Sequence, residues 1–163
     1  MNSDSVLALY NWFKADGITV WIDGGWGVDA LVGRQTRSHN DIDVFVQKDD
    51  ADDFIKMITS KGYKEIEVEF TTESHTAWQD SDGRLIDFHL FEFGETGAVF
   101  FEGEEYPSNV LNGEGKIDGV SVKCLSASAQ LLYHQGYEHD ENDVRDVMLL
   151  CETFGFPVPA EYR

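Results

Sequence analysis

A fold of the α/β (α+β) class, ending in a C-terminal helical part, is predicted by three features of this chain. Apolar residues recur at helical spacing near its start and again near its end. Between these segments lie short β-type runs bounded by Asp-Gly turns. The change from hairpins to helices falls close to Leu125. A chain of 163 residues, 42% of them hydrophobic, can bury one ordinary core. The expected division is a core over residues 1–125 and a helical part over residues 126–163, or one compact unit.

Taken in order, Asp4 to Ala15 place Val6, Leu9, Tyr10 and Phe13 on one helical stripe, and Gly17 stops the helix. Ile18 to Ile22 read as a buried strand running into a tight Asp23-Gly24-Gly25 turn. Trp26 to Leu31 form a short helix ended by Gly33. Asp41 to Val46 is a second strand, and Asp49 or Asp50 caps a helix that runs to Lys61 and Gly62. Tyr63 to Phe70 is strand-like, with Glu65, Glu67 and Glu69 on one face. Ala77 to Gln79 and Leu85 to Phe91 flank the hairpin turn Asp82-Gly83, and Asp118-Gly119 marks another. Gly94 to Gly115 carries no clear pattern. Ala127 to Tyr137 and Glu141 to Phe154 are helical, and Gly155, Pro157 and Pro159 end them.

Composition narrows the function classes. A net charge of -19 repels nucleic-acid backbones and either serves solubility alone or draws in cations, so the expected partners are small cationic molecules and metal ions rather than DNA or RNA. No apolar run reaches the length of a membrane span, and the N-terminus reads as an amphipathic helix, not a signal peptide. Cys124 and Cys151 lack metal-ligand spacing and read as free thiols of a cytoplasmic protein. A monomer or a homodimer is compatible with the chain.

The residues that carry chemistry are few. Strand alternation puts Asp41 and Asp43 on one face, roughly 7 Å apart along the backbone. Asp87 and His89 share a face of a later strand, opposite Ile86, Phe88 and Leu90. If the two strands are neighbours, Asp41, Asp43 and Asp87 form a carboxylate triad suited to hard divalent cations. Such a triad fits transfer at phosphorus, with two metal ions on the triphosphate and the attacking hydroxyl and a carboxylate taking the proton. Gly24 and Gly25 let backbone amides approach phosphate at a helix start. Arg34, Arg37 and His39 lie between the glycines and the aspartates and can grip phosphates. Each piece has an ordinary explanation: a turn, a solvated strand face, a polar loop. Their order along the chain is what makes the combination specific. His134 and Tyr137, near one turn apart, can line a nucleotide or acceptor pocket or pack as a half-buried pair.

The stretch Trp21-Ile22-Asp23-Gly24-Gly25-Trp26-Gly27-Val28-Asp29, followed by Gly33-Arg34-Gln35, Arg37, His39 and Asp41-Ile42-Asp43, resembles the small antibiotic nucleotidyltransferases. The short lincosamide nucleotidyltransferases are the most similar group, and the aminoglycoside 2''-adenylyltransferases come next. Ala129 to Tyr137 and Asp87-Phe88-His89 resemble the lincosamide group as well. The resemblance implies a nucleotidyltransferase fold, with a mixed β-sheet flanked by helices. It implies ATP or another NTP as donor, and Mg2+ held by Asp41, Asp43 and Asp87, with Asp87 as general base. Gly24, Gly25, Asp29, Arg34, Arg37 and His39 are the expected nucleotide site, and His89, His134 and Tyr137 are candidates for the acceptor or nucleotide pocket. The expected reaction moves a nucleoside monophosphate onto a hydroxyl of an antibiotic, a lincosamide before an aminoglycoside. The alternatives are another metabolite or a protein as acceptor, or a nucleotide- or metal-binding module without catalysis. The long acidic C-terminal segment, His139 to Asp143 and the helix to Phe154, departs from the family pattern and leaves the acceptor open.

Overall fold

A computed structural model describes residues 1–163. The elements run α1 (Ser3–Ala15), β1 (Val20–Asp23), α2 (Gly24–Val32), β2 (Asp41–Gln47), α3 (Ala51–Ser60), β3 (Lys64–Ile66), β4 (His75–Gln79), β5 (Leu85–Phe93), β6 (Val99–Phe101), β7 (Glu104–Tyr106), β8 (Gly113–Ile117), β9 (Val120–Cys124), α4 (Ala127–Tyr133) and α5 (Glu141–Phe154). The strands form a mixed sheet of order β3-β4-β5-β2-β1-β9-β8, and β6 and β7 extend β5 at one end. β2 runs parallel to β5 and antiparallel to β1, while β1 runs parallel to β9.

Alternation along the central strands separates two faces. Ile42, Val44 and Val46 of β2, with Ile86 and Phe88 of β5, join Val6, Leu9 and Phe13 of α1 and Phe54 and Ile58 of α3 in the main core. Phe54 is fully buried, stacked 4.2 Å from Phe88 and 4.9 Å from Phe13. Truncating it to alanine would leave a cavity costing about 3–5 kcal/mol. The opposite face carries Asp23, Asp43 and Asp87. Further along, a second apolar cluster holds Phe45, Phe91, Val99, Leu125 and Ala129. α4 and α5 pack against α2 and against each other.

Several boundaries differ from the sequence reading, each for a local reason. β1 starts at Val20 because the Ile18 amide donates back to the Phe13 carbonyl and closes α1. Gly24 and Gly25 are not a loop before a helix; they are the first residues of α2. Asp50 sits at the start of α3 without a side-chain cap, since a 3-10 turn over Lys48–Asp50 leads into the helix. β3 stops at Ile66, because the Val68 amide donates to Thr71 Oγ1 and the Thr71 amide to the Val68 carbonyl. That local turn competes with sheet pairing. α4 ends at Tyr133, four residues early, and the backbone turns at Gly136 (φ 88°). Gly94 to Gly115 holds β6, β7 and a 3-10 turn over Ser108–Leu111 before β8 begins. The Asp118-Gly119 hairpin forms as expected, with both residues at positive φ.

Candidate active site

Strand register assembles the site. Asp43 of β2 lies opposite Asp23 of β1 on one side and Asp87 of β5 on the other, so three aspartates stand in one row across adjacent strands. Asp41 lies two residues before Asp43 on the same face, paired with Leu85. Sequence alone places Asp23 in a turn; the register makes it a fourth carboxylate. Its Oδ1 is buried with no hydrogen-bond partner. A signal exists in the sequence, since an aspartate closing an apolar strand needs a partner once buried.

Burial, and after it the crowding of like charges, raises the proton affinities. Burial, then the charge of Asp43, raise Asp23 to about 6. Burial, then Asp43 and Asp41, raise Asp87 to about 7. Asp41 is raised too, by burial and by Asp43. A cation bound among them would favour their charged forms. As the side chains stand, no three His, Cys, Asp or Glu form a ready-made metal cage. Mg2+ takes one or two protein carboxylates and completes its shell with water and substrate phosphate, so this donor set suits it.

The raised values have a consequence for stability. Asp87 gains protons on folding, so its contribution is fully present below the ordinary carboxylate pKa near 4 and is lost as pH rises to about 7. In chelator, Asp87→Asn is therefore expected to melt above the parent protein at pH 8, with the gap closing toward pH 5. Allowing for solvent screening, about 1 kcal/mol or more is expected, a shift of about 2–4 °C. Equal melting points at both pH values in differential scanning calorimetry would exclude a strained Asp87.

The glycines act by having no side chain. Gly24 has φ 57°, and a Cβ there would lie 2.2 Å from Asp43 Oδ2. A Cβ on Gly25 would lie 2.3 Å from an Arg37 nitrogen and 2.5 Å from His39 Nδ1. The start of α2 therefore fits directly over Asp43 and over the loop before β2. A cleft of about 420 Å³ opens here, lined by Asp23, Gly24, Gly25, Arg37, Asp41 and Asp43, with His134 and Tyr137 across from them. Asp87 lies one strand beyond Asp43, outside this lining.

The remaining residues expected at the site fall into three groups. Arg37, His134 and Tyr137 line the cleft. The buried His134 ring donates from Nδ1 to the Gln130 carbonyl at 2.7 Å, and Tyr137 donates to Asp143 Oδ1 at 2.8 Å. His89 stands beside Asp43, its Nε2 3.5 Å from Oδ1, with its ring stacked on Phe45. His75, which has no assigned role in the sequence, lies with its ring 4.0 Å from that of His89. Burial, then His89, lower His75 to about 4, so it is neutral near pH 7.

Asp29, His39 and Arg34 do not join them at the cleft. Asp29 and His39 form a buried pair at 2.6 Å, and Asp29 Oδ1 accepts from the Thr36 amide and hydroxyl. Both are spent on holding the loop before β2. Arg34 lines a separate cleft of about 730 Å³ with Thr36, Arg145 and Met148. The three basic residues that sequence groups as one phosphate grip are therefore split: loop geometry turns only Arg37 toward the aspartates.

A mixed sheet that sets a row of aspartates beside a Gly-Gly helix start defines a nucleotidyltransferase. The chain belongs to the aminoglycoside-2''-adenylyltransferase family, whose model it matches over residues 5–150. It is 32% identical over 146 residues to a lincosamide resistance protein of Staphylococcus haemolyticus, covering 87% of this chain and 88% of that one. It is also 32% identical over 149 residues to a 2''-aminoglycoside nucleotidyltransferase of Escherichia coli, covering 85% and 79%. The fold is similar to that of the lincosamide antibiotic adenylyltransferase LnuA in its lincomycin-bound crystal structure. That likeness has a TM-score of 0.78 and 30% identity, over 90% of this chain and 94% of that one. No helix is long and apolar enough to cross a membrane.

Proposed function

We propose that this nucleotidyltransferase inactivates a lincosamide by moving AMP from ATP onto one of its hydroxyls, with release of pyrophosphate. The observation that carries the chemistry is the in-register row of Asp43 and Asp87 beside the Gly24-Gly25 start of α2. Asp41, Asp43 and Asp87 would hold two Mg2+ ions, which when bound neutralise charge on the triphosphate and on the attacking oxygen. Asp87 accepts the proton of the acceptor hydroxyl. The hydroxyl oxygen then bonds to the α-phosphorus as the bond to the bridging oxygen breaks and pyrophosphate leaves. Amides at the start of α2 and the Arg37 guanidinium bind phosphate oxygens.

The acceptor rests on similarity, supported by charge. Identity to the lincosamide relative runs over 88% of its length and identity to the aminoglycoside relative over 79%. The net charge of -19 concentrates any protonated amine near the cleft. Pyrophosphate release from ATP and Mg2+ is expected with lincomycin and not with tobramycin, and kcat/KM is expected to fall as salt screens the attraction. Release with tobramycin alone would reassign the acceptor. Release with neither drug, in cells whose drug sensitivity is unchanged by the protein, would end the antibiotic assignment.

A further inference from the structure

We infer that Asp146, on the C-terminal helix α5, is a positioning residue that holds Arg37 facing the triphosphate and off the catalytic aspartates; this rests on the nucleotidyl-transfer reading above. Asp146 is 1% exposed, and its carboxylate meets one guanidinium edge. Arg37 Nε donates to both carboxylate oxygens at 3.2 Å and another nitrogen donates to Oδ2 at 2.7 Å. The third nitrogen, NH1, reaches only the Ser38 carbonyl, at 3.3 Å. One edge of the fork is thus committed to α5, while NH1 keeps a second hydrogen beyond its bond to Ser38, a residue that lines the cleft with Arg37.

The need for such a restraint follows from what lines the cleft. Asp23, Asp41, Asp43, Asp140 and Asp143 face it, and Arg37 is the sole lysine or arginine among its walls. A long unrestrained side chain in that setting would fold onto Asp41 or Asp43, cancelling the carboxylates a cation requires and losing its own reach to phosphate. Asp41 already acts on Arg37 electrostatically, though Asp146 acts more strongly. A buried ion pair contributes little net stability against an apolar pair of the same size, so stability alone is a weak reason for this one.

The surroundings hold the same geometry. Gly25 leaves space where a Cβ would lie 2.3 Å from Arg37. Arg145, next to Asp146, donates to the Thr36 carbonyl, and Asp29 binds Thr36 from the other side. α5 is fixed at its start by a capping box between Asp140 and Asp143. The acidic C-terminal segment therefore reaches the nucleotide side of the cleft through the loop that carries Arg37.

The test is equilibrium binding of MgATP to the full-length protein by titration calorimetry, with steady-state kinetics beside it. Asp146→Asn is expected to weaken MgATP at least about tenfold, the effect of removing one charge-assisted hydrogen bond to phosphate. The KM for lincomycin should stay within threefold. In an Arg37→Ala background the same substitution should change MgATP affinity less than twofold. Arg37→Lys keeps the charge but not the fork, so it too should weaken MgATP about tenfold. Unchanged affinity in Asp146→Asn, or an equal reduction with Arg37 already removed, would overturn the assignment. Should Asp146→Asn fail to fold by circular dichroism, Arg37→Lys decides: affinity within twofold of the parent overturns it. None of the binding measurements depends on the acceptor, so a failed lincomycin assay leaves this result readable.

Discussion

Asp87→Asn is expected to lower nucleotidyl transfer by about 10²–10⁴-fold while MgATP binding stays within a few fold, because the amide cannot take the acceptor proton. The substitution keeps the size of the side chain and removes a charge the fold already crowds: Asp87 stands in register with Asp43 and feels Asp41 as well. Loss of rate through unfolding is therefore not expected, and the melting temperature should hold or rise. The measurement is single-turnover transfer of labelled AMP at saturating acceptor, with MgATP affinity measured separately. Turnover within about threefold of the parent would remove Asp87 from the role of base. Loss of both turnover and MgATP affinity in equal measure would make Asp87 a cation-holding residue only.

Gly24→Ala is expected to cost about 10²-fold in kcat with a smaller effect on stability. An alanine Cβ would lie 2.2 Å from Asp43 Oδ2, where ordinary contact begins at 3.4 Å, so Asp43 or the start of α2 must give by about 1 Å. Displacement on that scale at a reacting centre can cost about 10²-fold. The backbone at φ 57° adds strain of about 1–2 kcal/mol for a residue with a Cβ. Gly17 is the internal control. It also has positive φ (76°), but a Cβ there meets nothing within 4 Å. Gly17→Ala should carry backbone strain with near-normal turnover. Equal turnover losses in the two variants would mean that strain, not the approach to Asp43, explains the effect of Gly24→Ala.

Much of this protein is readable from residue order. Alternation in Asp41-Ile42-Asp43 and in Leu85-Ile86-Asp87-Phe88-His89 assigns each aspartate to a face, because the side-chain period of a strand is two whatever its neighbours. The start of α5 at Glu141, capped by Asp140, and the Asp118-Gly119 hairpin depend on contacts within a few residues, and both are legible in the sequence. The family is legible too, since its motif is a string of neighbours from Trp21 to Asp43.

Tertiary structure alone decides which distant groups share a charge. Asp23 joins the row of carboxylates at the candidate site only because β1 pairs with β2 at Asp43, and no local pattern states that register. Arg34, Arg37 and His39 look equivalent on one short loop. Yet His39 turns inward to Asp29, Arg34 faces another cleft, and Arg37 meets Asp146, 109 residues away. Spacing along a strand or helix is set by backbone geometry and so survives in sequence. The direction of a loop side chain is set by whichever buried partner can satisfy it, and that partner is known only once the chain has folded.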